Sequence, residues 1–179
     1  MYSVFSNVRT IGDLFRSLKW AWQRATKGYC VLDTYSVSDC FLNTLPDMLE
    51  EIKKNYTGYP DELTEQQWNE ILSRLIFLLR EANDDTCSKV NPYDKEYNSM
   101  LKEFRAKYGE WGEKLLTDEE KAEAKKNGSS RIYLPSDMPE YKEICEQYSE
   151  EERKLNAYRE QCKNEALELF SKWFYRLGF

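Results

Sequence analysis

The stretch that decides the fold is 139–177, PEYKEICEQYSEEERKLNAYREQCKNEALELFSKWFYRL. Apolar residues recur in it at every seventh position, at Tyr141, Tyr148, Leu155, Cys162 and Leu169. A strict seven-residue spacing favours coiled-coil packing over a broad globular face. At about 1.5 Å per residue, one helix over this stretch would be roughly 58 Å long, which exceeds the width of a compact domain. The heptads suit pairing inside one chain and also a dimer through the long helix.

The rest of the chain is also helical in its periodicity, and its few glycines and prolines lie mostly between the periodic segments. We predict a first helix over about 11–27 and a second that begins at about 36 or 38 and has a kink or break at Pro46. A third helix begins at Thr64, and a fourth covers 92–115 with Asn91 as its N-cap. A fifth, short helix runs from Thr117 to Asn127. A turn is predicted at 55–60, and the best extended segment, 131–134, is weak. The fold class is therefore all-α.

The seven-residue repeat and the apolar end of the long helix together predict two parts. Residues 1–90 with 166–179 would form a helical core of three to four helices, to which the long C-terminal helix returns. Residues 91–165 would form a projecting antiparallel helical hairpin, a coiled-coil arm. The alternative is a single five-helix bundle without an arm.

Composition excludes several classes of chemistry. The chain has 179 residues, a net charge of −6 and no histidine, so Ser-His-Asp or Cys-His catalysis and His-ligated zinc are excluded. Its five cysteines show no Cys-x-x-Cys spacing, which fits a reducing cytoplasm rather than a disulfide framework. No apolar run approaches the roughly 20 residues that span a bilayer, and 1–7 is unlike a secretory signal. We expect a cytoplasmic protein with no cofactor and no contact with a membrane.

Carboxylate pairs are weak candidates for a catalytic or metal site. Glu62-x-x-Glu65 and Glu81-x-x-Asp84 resemble the acidic pattern of all-α nucleotide pyrophosphohydrolases, which bind magnesium. Both pairs flank one predicted helix, however, so Glu65 and Glu81 would lie roughly 24 Å apart. Asp33 and Asp39 are better explained as helix-capping residues than as a metal or base pair. No catalytic or metal-binding residue is therefore predicted.

Charge is unevenly distributed along the chain. Residues 1–30 carry five basic residues and one acidic residue, a net of +4, whereas the remainder carries 21 basic and 31 acidic residues, a net of −10. The first helix has one apolar face, made of Ile11, Leu14, Phe15, Leu18, Trp22 and Ala25. Off that face lie four candidate partner-binding residues: Arg16, Lys19, Trp20 and Arg24. Such a basic and aromatic surface suits nucleic acid, an acidic protein, or pairing with the acidic remainder of this chain.

A second candidate binding surface is the acidic trio Glu150, Glu151 and Glu152 in the long helix. Carboxylates at phosphate-like spacing could mimic nucleic acid and occupy a basic groove on a partner. The alternative is an ordinary solvated helical face.

With these residues in hand, the chain resembles a family of uncharacterised proteins of tailed bacteriophages and gut prophages. The matching pattern is Gly28-Tyr29-Cys30-x-x-Asp33-x-Tyr35, Leu45-Pro46-x-x-Leu49, Gly58-Tyr59-Pro60, Thr64-x-x-x-Trp68-x-x-Ile71-Leu72 and Leu167-x-Leu169-Phe170-x-x-Trp173-Phe174. It covers roughly 28–82 and 165–175, and Tyr35 stands where the family usually shows Trp. The resemblance implies a phage context, in which small acidic helical proteins often bind and block host defences, but it supplies no activity and no catalytic residues.

The sequence thus predicts a non-enzymatic phage protein that binds and inhibits a host defence protein, such as a CRISPR effector nuclease, as anti-CRISPR inhibitors do. The alternative is a nucleic-acid-binding phage accessory protein that uses the basic first helix. A carboxylate-metal phosphohydrolase is the third and least favoured hypothesis.

Overall fold

The computed structural model describes residues 10–55, 58–128 and 131–177. Two sequence-based expectations, the character of 1–7 and the middle of the turn at 55–60, lie outside these residues. Within the described ranges the regular secondary structure consists of α-helices and 3₁₀ turns. No strand occurs in these ranges, and 131–134 has no regular structure. The all-α prediction is therefore confirmed.

The helices follow one another along the chain as α1 (Ile11–Lys27), α2 (Val37–Asn55), α3 (Glu65–Glu81), α4 (Asp94–Tyr108), α5 (Asp118–Asn127) and α6 (Pro139–Trp173). Short 3₁₀ turns occupy Val31–Thr34, Glu113–Leu115, Pro135–Asp137 and Phe174–Arg176. Threonine capping boxes open α3 and α5 as predicted, at Thr64 with Gln67 and at Thr117 with Glu120.

The described chain divides into two compact units. The first unit takes the chain up to Ser88 and again from Arg159, so it holds α1, α2, α3 and the last part of α6. Its core consists of Leu49 from α2 and a row of leucines from α3, all almost completely buried. Trp68 of α3 and Trp173 of α6 meet edge to face, with ring centroids 5.6 Å apart.

The second unit is Lys89–Tyr158, which holds α4, α5 and the first part of α6. Tyr97 stacks on Tyr148 with ring centroids 3.9 Å apart, and Phe104 meets Tyr141 edge to face at 6.0 Å. Residues later in α4 thus contact residues earlier in α6, so the two segments are antiparallel. Met100, Phe104, Tyr141 and Cys145 form the buried centre of this helical hairpin.

The structure corrects two predicted helix ends. The fourth helix stops at Tyr108 instead of continuing to 115, because Gly109 and Gly112 both take positive φ angles. A side chain on Gly112 would place its Cβ 2.6 Å from the Cβ of Tyr133, so this turn depends on glycine. The long helix ends at Trp173, and 3₁₀ geometry follows where helix was expected up to 177.

Two further expectations change within α2 and at the start of α4. Of the kink or break expected at Pro46, the break does not occur, because α2 runs through this residue, whose ring is buried in the first unit. Burial of the ring offsets part of the roughly 3 kcal/mol that an interior proline costs a helix. Asn91 is buried and its side chain accepts the Tyr93 N–H at 3.0 Å, so it caps a turn, and α4 begins only at Asp94.

Candidate functional site

The local sequence sets both ends of α1. Thr10 and Asp13 form a capping box, in which the Thr10 hydroxyl accepts the Asp13 N–H at 3.1 Å and the Asp13 carboxylate accepts the Thr10 N–H at 3.0 Å. Gly28 ends the helix with φ +80° and donates its N–H to the Arg24 carbonyl. Asp13 in the first turn and Lys27 in the last complement the helix dipole.

The apolar face of α1 is exposed, although such a face normally packs on a core. Five large apolar side chains on it expose between 43% and 76% of their surface: Ile11, Leu14, Phe15, Leu18 and Trp22. We call these five residues the α1 stripe. Large apolar groups gathered on one face of a helix mark an interaction site rather than scattered surface residues.

Exposed apolar residues continue in the segment that follows α1. Tyr29, Val31, Tyr35 and Val37 each expose about half of their surface or more. With aromatic side chains of 150–250 Å², the four exposed aromatic residues between 11 and 37 alone present roughly 400–700 Å².

A different side of α1 attaches it to the first unit. Ser17 is only 3% exposed, and Trp20 and Ala21 are half-buried. Arg24 donates two hydrogen bonds to the Asp33 carboxylate, from Nε at 3.1 Å and from a terminal nitrogen at 2.5 Å. This fork geometry fixes the last turns of α1 against the 3₁₀ turn at Val31–Thr34.

Asp33 is a structural residue in this arrangement. Besides binding Arg24, its carboxylate accepts the Cys30 N–H at 2.7 Å. The hydrogen bonds from Arg24 are the main reason that the pKa of Asp33 falls to about 2. Its carboxylate thus caps the start of the 3₁₀ turn, in agreement with the capping explanation for this residue.

The structure places the four basic and aromatic candidates on α1 in different surroundings. Arg24 is bound to Asp33, and Arg16 lies 2.8 Å from Asp13. Trp20, expected to be exposed, is half-buried, whereas Trp22 exposes 70% of its surface. Lys19 is exposed and makes no ion pair among the described residues. Of the four, Lys19 is the one that borders the α1 stripe.

The acidic trio is not gathered on one face of α6. Consecutive helical residues point about 100° apart, so three in a row spread around the helix. Glu150 and Glu151 lie 3.4 Å and 3.1 Å from the ammonium group of Lys154, and Glu152 accepts a hydrogen bond from the Asn91 side chain at 3.0 Å. Partners inside the second unit therefore offset part of this negative charge.

The carboxylates of the phosphohydrolase pattern also have separate partners. Glu81 is buried and accepts hydrogen bonds from the N–H and hydroxyl of Ser88, at 3.0 Å and 2.9 Å. Asp84 lies 3.0 Å from Arg159. No group of three or more Cys, Asp or Glu side chains in the described part of the chain is placed to hold a metal ion.

The exposure of the α1 stripe could not be predicted from the sequence, because the spacing of these residues indicates only that the helix has an apolar face. Among the helices that the structure describes, none is both long and apolar enough to cross a membrane.

In comparisons with known proteins, the chain matches no protein-family model, no curated protein and no solved structure.

Proposed function

We propose that this chain acts by binding another protein, and that the α1 stripe is its docking surface. The observation that carries this proposal is the exposure of five large apolar side chains on one face of a helix with both ends capped. Amphipathic helices that lay an apolar face into a groove are a recurrent mode of protein recognition.

Phe15 and Trp22 are the expected anchors of the complex. They expose 69% and 70% of their surface, which for aromatic side chains corresponds to roughly 100–175 Å² each. At about 25 cal/mol per Å², burying either would contribute roughly 2.5–4 kcal/mol before the costs of association. Two such residues near the centre of an interface are enough to dominate its affinity.

The wider proposal is that the partner is a host defence protein and that binding inhibits it. The resemblance to phage proteins supplies this context, with a CRISPR effector or another nuclease-based defence as the target and the host cytoplasm as the location. Inhibition by contact needs a docking surface and no catalytic group, which suits a chain without histidine.

The ion pairs of α1 weaken the alternative that this helix binds nucleic acid. Arg16 and Arg24 each face a carboxylate of the same unit, so less positive charge is available for phosphate groups. Affinity for nucleic acid depends on the number of phosphates that free cationic side chains neutralise.

The test compares two tryptophan variants in a tagged pull-down from lysate of a host with active defences, with and without nuclease. Trp22 and Trp111 expose similar fractions of their surface, 70% and 60%, but Trp111 lies in the second unit. A stoichiometric protein retained by the wild type and by Trp111→Ala, lost by Trp22→Ala and unaffected by nuclease would support the proposal. Equal recovery by the two variants would refute α1 as the docking surface, and recovery only of nuclease-sensitive material would favour the accessory-protein alternative.

A further inference from the structure

One exposed lysine, Lys19, lies at the accessible edge of the α1 stripe. At about 100° per residue, Gly12, Lys19 and Thr26 border the stripe on the side away from Ser17. Arg16 and Gln23 lie next to them, farther from the stripe. Asp13, the one carboxylate of α1, lies on another side of the helix, so this edge carries no negative charge of its own.

The spacing of the apolar residues describes the shape of the surface that α1 can meet. Ile11, Phe15, Leu18, Trp22 and Ala25 are separated by four, three, four and three residues. This alternation is the seam of a coiled coil, in which one helix packs lengthwise against another. In such packing the positions beside the seam, here Lys19, face the edge of the partner helix and set partner choice.

A second copy of this chain is a poor match for that edge. In an antiparallel pair of α1 helices centred near Leu18, Lys19 of one copy would lie beside Lys19 of the other. Like charges at such positions disfavour pairing. A carboxylate in the partner would instead complement the lysine.

We propose that the partner of α1 presents an apolar helical surface bordered by carboxylates. This inference rests on the proposed function, because it names the chemistry of the partner at the same site. Its apolar part would supply affinity, and its acidic border would supply specificity and faster association.

The test uses two synthetic amphipathic peptides of about three heptads each, with leucine at the seam positions. One peptide carries glutamate at the positions beside the seam and the other carries lysine. Fluorescence anisotropy of each labelled peptide, titrated with the full chain, gives its Kd at about 0.05 M and about 0.5 M salt.

We expect the acidic peptide to bind about five- to tenfold more tightly than the basic one at low salt, with the preference shrinking at high salt. Lys19→Glu should reverse the preference. Lys27→Glu, a matched change on the far side of α1, should preserve it. Trp22→Ala should weaken both peptides by roughly 30-fold, the equivalent of about 2 kcal/mol.

The outcomes separate the two proposals. Equal affinity for the two peptides, with both weakened by Trp22→Ala, would overturn the acidic partner and keep the docking surface. Binding of neither peptide would overturn both proposals. A dimer in sedimentation equilibrium that Trp22→Ala dissociates would identify a second copy as the occupant. Peptide binding that arises only after removal of 1–9 would identify that segment as the occupant.

Discussion

Replacing Trp22 by alanine is expected to leave the stability of the first unit nearly unchanged, although it removes one of the largest side chains of the protein. Trp22 is 70% exposed, so it buries only roughly 45–75 Å² of a side chain of 150–250 Å². At about 25 cal/mol per Å² the loss is roughly 1–2 kcal/mol at most. Alanine, a better helix former, returns about 0.5 kcal/mol. The expected net decrease in the free energy of unfolding is roughly 0.5–1.5 kcal/mol.

Trp68→Ala is the matched internal standard. Trp68 is 5% exposed and packs edge to face on Trp173, so its truncation leaves a cavity and should cost about 3–5 kcal/mol. Both tryptophans belong to the first unit, so both variants report on the same unfolding transition. Urea titrations followed by far-ultraviolet circular dichroism measure the difference without depending on tryptophan fluorescence.

A loss of stability from Trp22→Ala as large as that from Trp68→Ala would refute the reasoning. It would mean that the α1 stripe packs inside the folded chain, and the docking surface would no longer exist. A loss similar to that of Trp111→Ala, in which the removed side chain is also mostly exposed, would agree with an unoccupied face.

Three further predictions concern residues that stabilise one unit or the other from within. Asp33→Asn should lower the free energy of unfolding of the first unit by about 1–2 kcal/mol at pH 7. Because the pKa of Asp33 is depressed to about 2 from 3.8, the difference in stability between the wild type and the variant should shrink as pH falls from about 4 toward 2. A difference that does not change with pH would contradict the ion pair with Arg24. Glu81→Leu should lower the urea midpoint, since it removes the buried carboxylate that accepts the Ser88 N–H and hydroxyl, at a cost of about 1–3 kcal/mol; an unchanged midpoint would show that these hydrogen bonds contribute nothing. Gly112→Ala should lower the thermal midpoint of the second unit more than Gly28→Ala lowers that of the first, because both glycines have positive φ but only Gly112 has a neighbouring side chain within 4 Å; equal shifts would refute the steric argument.

Helix boundaries could be predicted wherever a local interaction defines them. Thr64 with Gln67 and Thr117 with Glu120 are capping boxes whose partners lie three residues apart, so sequence spacing is sufficient. The end of α4 was missed because Trp111 and Leu115 continue the apolar period past two glycines that in fact end the helix. Gly109 and Gly112 indicate the end of the helix, and here this indication is stronger than the apolar spacing that suggests its continuation.

The candidate site was harder to predict because burial is not a local property. Periodicity shows that α1 has an apolar face, but it does not show which molecule covers that face. Trp20 and Trp22 illustrate the difference, since the tryptophan placed off the stripe is half-buried and the one on it is exposed. The ion pair of Arg24 with Asp33 likewise depends on the turn between them, which charge counting cannot reveal.

The capping of α1 explains how an exposed apolar face can be ready for a partner. A capping box at Thr10 and a left-handed glycine at Gly28 end this 17-residue helix, and these local interactions stabilise it independently of its apolar face. Arg24 and Asp33 then fix its last turns to the first unit. A partner would therefore meet a helix that is already formed and anchored, so little of the binding free energy is lost in ordering it. If this reasoning holds, replacing Gly28 or Asp33 should weaken binding of the acidic peptide, even though neither side chain belongs to the α1 stripe.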